Sequence, residues 1–277
     1  VVPEPIIGSF TVDGLTFAVI DESHVELVGI APSVTLSEAA EGGAVEGSNS
    51  NQASEAGLAN LVLPETVSYE GTTYALASIA PYAFYLSDVT DVELPASVND
   101  VDDRAFRSSD VVNVTVAENN QTYSSFDGAL YDAEHLSLLL IPEGKQGTVR
   151  IPKTAEVAGA SVFSHCPLAD SIFVDAGSAA FASENGLLYT SDLTTLLRVP
   201  AGATEITIRD GCTTIAAGAL EACAKLATIN APASVTSISP DIFHAIPTVS
   251  LPVASAQHDE AANDTATDSQ LVAVVTL

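Results

Sequence analysis

The sequence predicts a mainly β solenoid, an array of coils of about 22–23 residues with β-hairpin inserts recurring between them and a small β cap at the N-terminal end. Two observations carry this. LPASVNDVDDRAF at 94–106 and APASVTSISPDIF at 231–243 share Pro second, Ser-Val fourth and fifth, an aliphatic residue eighth and Phe last. That last residue recurs as Phe84, Phe106, Phe163 and Phe243, with Leu220 in its place once, at gaps of 22, 57, 57 and 23 residues. A gap near 22 is one coil, and the two equal gaps of 57 are a coil plus an insertion that itself recurs.

Along the chain, residues 1–36 read as the N-terminal cap. SFTVDGLTFAVIDESHVELVGI alternates around Asp13-Gly14 and a polar turn near Glu22, the pattern of a small antiparallel sheet. An open solenoid end exposes stacking positions, which such a sheet would cover. Residues 37–60 are small and polar without period, a flexible surface loop. The solenoid spans 61–252. Its first copy is stretched, with a short hairpin around Gly71 before the pattern closes at Phe84. Residues 253–277 read as a linker, ending in LVAVVTL, which either adds an edge strand or begins a further segment.

Within a coil the apolar places are fixed relative to the terminal Phe. Twelve residues before it stand Leu94, Ile151, Ile208 and Ala231; Pro95, Pro152 and Pro232 follow, with Arg209 the exception. Eight before stand Val98, Ala155, Cys212 and Val235, and five before stand Val101, Ala158, Ile215 and Ile238. VTDVEL, VVNVTV, SIFV and LATINA set apolar residues two apart, as half-buried strands require. A proline after a strand removes a ladder donor and ends pairing there. In the insertion, FDGALYDAEHLSLLLIPEG at 126–144 corresponds to FASENGLLYTSDLTTLLRVPAG at 181–202, with Tyr131 and Tyr189, and Pro142 and Pro200, each 58 apart. Both read as a hairpin closed by a Gly turn and followed by a Leu-rich strand.

Together, LxxVxLPxSVxxVxxxAF and the FDGALY and ENGLLY inserts resemble the BspA-type leucine-rich repeat family over about 61–252. The resemblance implies a curved, strand-dominated leucine-rich-repeat solenoid of secreted or surface-attached bacterial proteins, associated with adhesion. Leu220 for Phe, Arg209 for Pro and a slipped Val157 depart from the pattern.

Composition narrows the function classes. Hydrophobic residues make up 47% of the chain, enough for a substantial core, although Trp and Met are absent. Eight Lys plus Arg against 36 Asp plus Glu give a net charge of −28, which repels nucleic acid and anionic membranes. No run approaches the roughly 20 apolar residues of a membrane span, so no membrane insertion is expected of this stretch. A signal or anchor is expected outside it. Cys166, Cys212 and Cys223 form no CxxC pair and no zinc spacing with the five histidines, and read as small buried core residues. No GxSxG, HExxH, GxxxxGK[ST] or strand-associated GxGxxG occurs, GGAVEG at 42–47 has no strand before it, and His165 beside Cys166 lacks an orienting third group. The expectation is therefore a protein that is not an enzyme and needs no cofactor. Asn99, Asp100, Asp102 and Asp103 are a weak candidate cation site, lacking the Gly and distal Glu of an EF-hand loop.

What remains is surface. Solenoids bind along the outward face of their strands. The outward places are Glu93, Thr115, Phe173, Asn230 and Ser250, each between two inward residues. Phe173 stands out, and either anchors a partner or packs under the adjacent hairpin. The reading is an extracellular or cell-surface binding and adhesion module for a protein or glycan partner; the alternative is a structural spacer that displays other domains. The oligomeric state is not legible.

Overall fold

A computed structural model describes residues 8–30, 60–238, 248–252 and 272–276. Phe243, His244, His258, GGAVEG and nearly all of the 37–60 and 253–277 segments lie outside the described residues. The chain divides into two units, one of residues 1–134 and 142–144, the other of residues 135–141 and 145–277.

In the first unit, β1 (Ser9–Val12), β2 (Leu15–Val19) and β3 (His24–Ile30) form an antiparallel meander. The chain returns as β4 (Asn60–Val62), then the hairpin β5 (Thr66–Tyr69) and β6 (Thr72–Ile79), with β6 lying parallel to β3. Phe17, Val25, Leu27, Leu76 and Ile79 fill the space behind this sheet. β7 (Asp91–Leu94), β8 (Asp100–Val101) and β9 (Asn113–Val116) belong to coils, and β10 (Tyr123–Phe126) and β11 (Ala129–Asp132) to the insert hairpin. Two parallel ladders result. β4, β7 and β9 pair in register, while β8 pairs with β6 on the other side of the coil.

Alternation decides what is buried. Val92, Leu94 and Val114 point inward, the chain turns at buried Pro95, and Val98, Ala105 and Phe106 complete the coil. The Phe84 and Phe106 rings meet at 4.7 Å, one coil above the other. Val101, expected in the core, is half-buried because β8 has only two residues and stands at the edge of the sheet.

The second unit repeats the scheme. β12 (Ser137–Leu140), β13 (Gln146–Ile151), β14 (Val157–Ala158), a 3-10 helix (Ala160–His165) and β15 (Leu168–Val174) lead into a second hairpin. That hairpin is β16 (Phe181–Glu184) and β17 (Leu187–Thr190), followed by β18 (Thr195–Arg198), β19 (Glu205–Thr207), β20 (Thr214–Ile215), β21 (Thr228–Asn230) and β22 (Ser237–Ile238). β23 (Thr248–Pro252) pairs antiparallel with β24 (Val272–Thr276). β13–β15 and β19–β21 are parallel ladders on one side, and β12–β14 and β18–β20–β22 are parallel ladders built from the short strands. The Leu-rich strand β18 thus closes the insert against β17 and also starts a ladder. Leu196, Ile206, Ile208, Cys212, Ile215, Leu220 and Ile229 share one core, with Val235 and Ile238 partly buried against it. Among the described residues the fold is a β-solenoid without α-helix, and no helix is long and apolar enough to cross a membrane.

Two sequence oddities have structural reasons. The cysteines are free and buried. Cys166 and Cys223 hold the place, three after the terminal Phe or Leu, that Ser87 and Ser109 hold elsewhere; Ser109 Oγ donates to Phe106 O at 2.7 Å, and Cys166 Sγ to Phe163 O at 3.3 Å. Burial pushes both thiols up to about 12. Arg209, where a proline is expected, uses the N–H that proline lacks, donating to Tyr189 Oη at 3.2 Å.

Candidate recognition site

The insert hairpins decide which strand faces stay open. β9 and β15 each end a parallel ladder, and an unpaired edge invites foreign strands. Here the hairpin supplies the missing acceptors. Val114 N–H donates to Gly128 O at 2.9 Å and Val116 N–H to Ser125 Oγ at 3.2 Å. In the second unit Ile172 N–H donates to Gly186 O at 2.8 Å and Val174 N–H to Ser183 Oγ at 2.9 Å. Both tips are two-residue turns with positive φ at Asp127-Gly128 and Asn185-Gly186, the type I′ geometry that asks for Gly second. Strand addition at these edges is blocked, so side chains rather than main chain are left to recognise a partner.

In the first unit the outward rows are Asn60–Asp91–Asn113 and Val62–Glu93–Thr115. Glu93 and Thr115 are therefore neighbours, both exposed. The first row is internally satisfied, Asn113 Nδ2 donating to Asp91 Oδ1 at 2.8 Å and Thr90 Oγ1 to Asp91 Oδ2 at 2.7 Å. Thr115 Oγ1 donates to Val92 O at 3.3 Å. Glu93 presents a carboxylate beside the exposed Val62.

In the second unit Phe173 is 49% exposed, so it points outward with about half of its surface left open to solvent. Its register partner is Arg150, whose guanidinium stands 5.8 Å from the ring centroid and whose Nη2 pairs with Asp175 at 2.7 Å. Asp175 thus holds the cation over the aromatic face, an arrangement worth about 0.5–1 kcal/mol at exposed sites. Thr148 and Ser171 hydroxyls bond at 2.7 Å in the row before. Asn230 lies on a different ladder, its Nδ2 donating to Glu205 Oε1 at 3.0 Å and Thr207 Oγ1 at 3.3 Å. Ser250 sits on β23 opposite Val274. The alternation found Glu93, Thr115, Phe173 and Asn230, whose side chains are exposed; Arg150 and Asp175 were missed, because only strand register brings Arg150 beside Phe173.

The acidic stretch behaves differently from a cation loop. Asp100 is on β8, and Asp102 turns both oxygens to Arg104, at 3.0 Å to Nε and 3.1 Å to Nη2. Hydrogen bonding to that guanidinium holds the Asp102 carboxyl below its ordinary value. Among the described residues no group of three or more His, Cys, Asp or Glu side chains is placed to hold a metal ion.

No curated protein matches the chain. Among solved structures, the pneumococcal vaccine antigen PcpA is 13% identical, with 88% of this chain and 70% of that one covered, at a TM-score of 0.44. A leucine-rich repeat protein of Eubacterium ventriosum is 16% identical over 82% of this chain, at a TM-score of 0.42; this chain spans 60% of its length. A leucine rich cell surface protein of Faecalibacterium prausnitzii is also 16% identical, covering 83% of this chain and 72% of its own, at a TM-score of 0.32. The BspA type leucine rich repeat region matches residues 58–188 and 201–259 in six copies. With most of its length in those copies, the chain belongs to the BspA-type leucine-rich repeat family.

Proposed function

We propose that this chain is a non-enzymatic recognition module of a bacterial cell-surface protein, binding a protein or glycan at the cell exterior through the outward strand face. The observation that supports it most is Phe173, a large aromatic left half-exposed by a repeat that does not need it there, with Arg150 held over its ring by Asp175. Aromatic and Arg side chains are the usual anchors of recognition surfaces. Membership in a family of surface-associated repeat proteins supports the location, and the hairpin-blocked edges support recognition by side chains.

A second reading has its own observation. Asn113 with Asp91, and Asn230 with Thr207 and the diagonal Glu205, spend polar groups on each other, as a spacer with no partner would. An array of host proteins and glycans, screened with the parent chain and with Phe173→Ala and Glu93→Ala, separates the two. Retention by the parent and at least about tenfold loss with Phe173→Ala is expected. Absence of any retained ligand favours the spacer, and equal retention by both variants removes the strand-face reading.

A further inference from the structure

The most exposed large apolar side chain among the described residues is Leu86, at 69%, and it lies on no strand. With Tyr82 at 46% and Tyr85 at 56% it occupies the turn around Phe84 in the first unit. Stacking does not ask for these residues. The same places carry Arg104, Arg107 and Ser108 one coil on, and Gly218, Glu221 and Ala222 around Leu220. The backbone even disfavours two of them, Tyr82 and Leu86. φ is 54 at Leu86, 53 at Ser108 and 62 at Ala222, and it is 60 at Tyr82 where Gly218 has 67. Left-handed backbone is costly for bulky side chains, so Tyr82 and Leu86 stand where Gly, Ala or Ser would be easier.

The turn is also rigidly held. N–H groups of Tyr82, Phe84 and Leu86 donate to the carbonyls of Arg104, Ala105 and Ser108 at 3.0, 3.3 and 2.9 Å, and Tyr85 N–H donates to Tyr82 O at 2.9 Å. A partner would meet a platform that needs no ordering, which removes one cost of binding. Acids flank it. Asp88 follows the turn, Asp110 holds the same place one coil on, and the exposed Asp103 shares Arg104 with Asp102, at 3.5 Å from its Nε against 3.0 Å for Asp102, so the two carboxylates together outweigh that one cation.

We infer that this turn docks a cationic amphipathic segment of another protein. Its apolar side chains would rest on Tyr82, Tyr85 and Leu86, and its Lys and Arg would face the tyrosine rings and the carboxylates of Asp88, Asp103 and Asp110. The charge of the chain selects this occupant. At −28 it draws in cations and repels a second copy of itself or an acidic partner.

The test uses a labelled peptide with Lys and Leu at helical spacing, titrated into the whole chain near physiological ionic strength by fluorescence anisotropy. The comparison is a Tyr82→Gly, Tyr85→Ser, Leu86→Ser variant, in which Gly and Ser at the first and last places are the residues other coils already hold there. None of these changes alters charge, so adsorption on the acidic surface as a whole is the same in parent and variant. At least about tenfold weaker binding by the variant is expected. Equal affinities, or no binding to the parent, overturn the inference. So does a loss produced by Phe173→Ala instead, which moves the peptide to the strand face. Neutral glycans retained by the parent and lost by the variant assign the turn to a sugar and overturn it as well. Because Phe173 and the turn are varied separately, this inference and the strand-face proposal fail separately.

Discussion

Residues 113–144, which lie in the first unit except for 135–141, and residues 171–202 in the second are one device built twice, at an offset of 58 residues. What bonds the main chain is repeated almost atom for atom. Gly128 and Gly186 carbonyls and Ser125 and Ser183 hydroxyls take the same edge N–H groups, Tyr131 and Tyr189 are fully buried, and Gly144 and Gly202 N–H donate to Val111 O and Ala169 O. A Cβ on Gly144 or Gly202 would come within 2.6 or 2.4 Å of those same carbonyls, which explains glycine at both. What differs lies outward or in the supporting turn: Thr115 against Phe173, Asn113 against Ser171, and Asn120 against Ser178. Stacking and main-chain pairing leave no choice, whereas a side chain facing solvent is free to be selected for a partner.

The largest test of this equivalence is the buried aromatic. Tyr131→Ala and Tyr189→Ala should each cost about 3–5 kcal/mol in denaturant unfolding, because each empties a ring-sized space in a stacked core. Unequal costs would break the comparison. Asn120 and Ser178 should then separate the units. Buried Asn120 Nδ2 donates to Pro95 O and Val98 O, and its Oδ1 accepts from Thr122 and Tyr123 N–H, whereas Ser178 Oγ accepts from Phe181 N–H alone. Asn120→Ala should cost about 2–4 kcal/mol and Ser178→Ala about 1 kcal/mol, by the same measurement.

The hairpin tips give a finer contrast. A Cβ at Gly128 would stand 2.3 Å from Asn113 Oδ1, and one at Gly186 stands 3.1 Å from Ser171 Cβ, both at positive φ. Gly128→Ala should cost about 2–3 kcal/mol and Gly186→Ala about 1–2 kcal/mol, the difference being the displaced Asn113 side chain and its bond to Asp91.

Alkaline pH should act on the second unit with no effect near neutrality. All three cysteines lie there, and burial raises the Cys166 and Cys223 thiols from 9.0 to about 12. Unfolded thiols lose their protons near 9 while the folded ones keep them, so the unfolded state binds fewer protons and stability falls as pH rises from 9 toward 12. Unfolding midpoints from pH 8 to 11 should therefore drop more steeply in the parent than in a Cys166→Ser, Cys223→Ser variant, which copies Ser109. Parallel curves would show that the thiols are not protected by the fold.

The fold was legible because each coil must bury the same places. Leu94, Val98 and Phe106 could be read as core from spacing alone, and they are almost wholly buried. The candidate site was legible only in part. Alternation placed Glu93, Thr115 and Phe173 outward, and the described side chains are. It could not place Arg150 over Phe173, since the two are joined by register between β13 and β15 rather than by proximity in sequence. Nor did it reveal the Tyr82, Tyr85 and Leu86 turn, although comparing the residues around each terminal Phe would have marked them as anomalous.

By itself, then, the sequence determined the solenoid, its coil length, its hairpin inserts and its stacked residues, because burial of apolar side chains at a fixed period is a property of the pattern. Only the tertiary structure decided which edges the hairpins close, which outward side chains share a row, and which apolar residues remain in water. Those depend on register and on hydrogen bonds between residues such as Val114 and Gly128, or Tyr82 and Arg104, that belong to different elements and meet only when the coils stack.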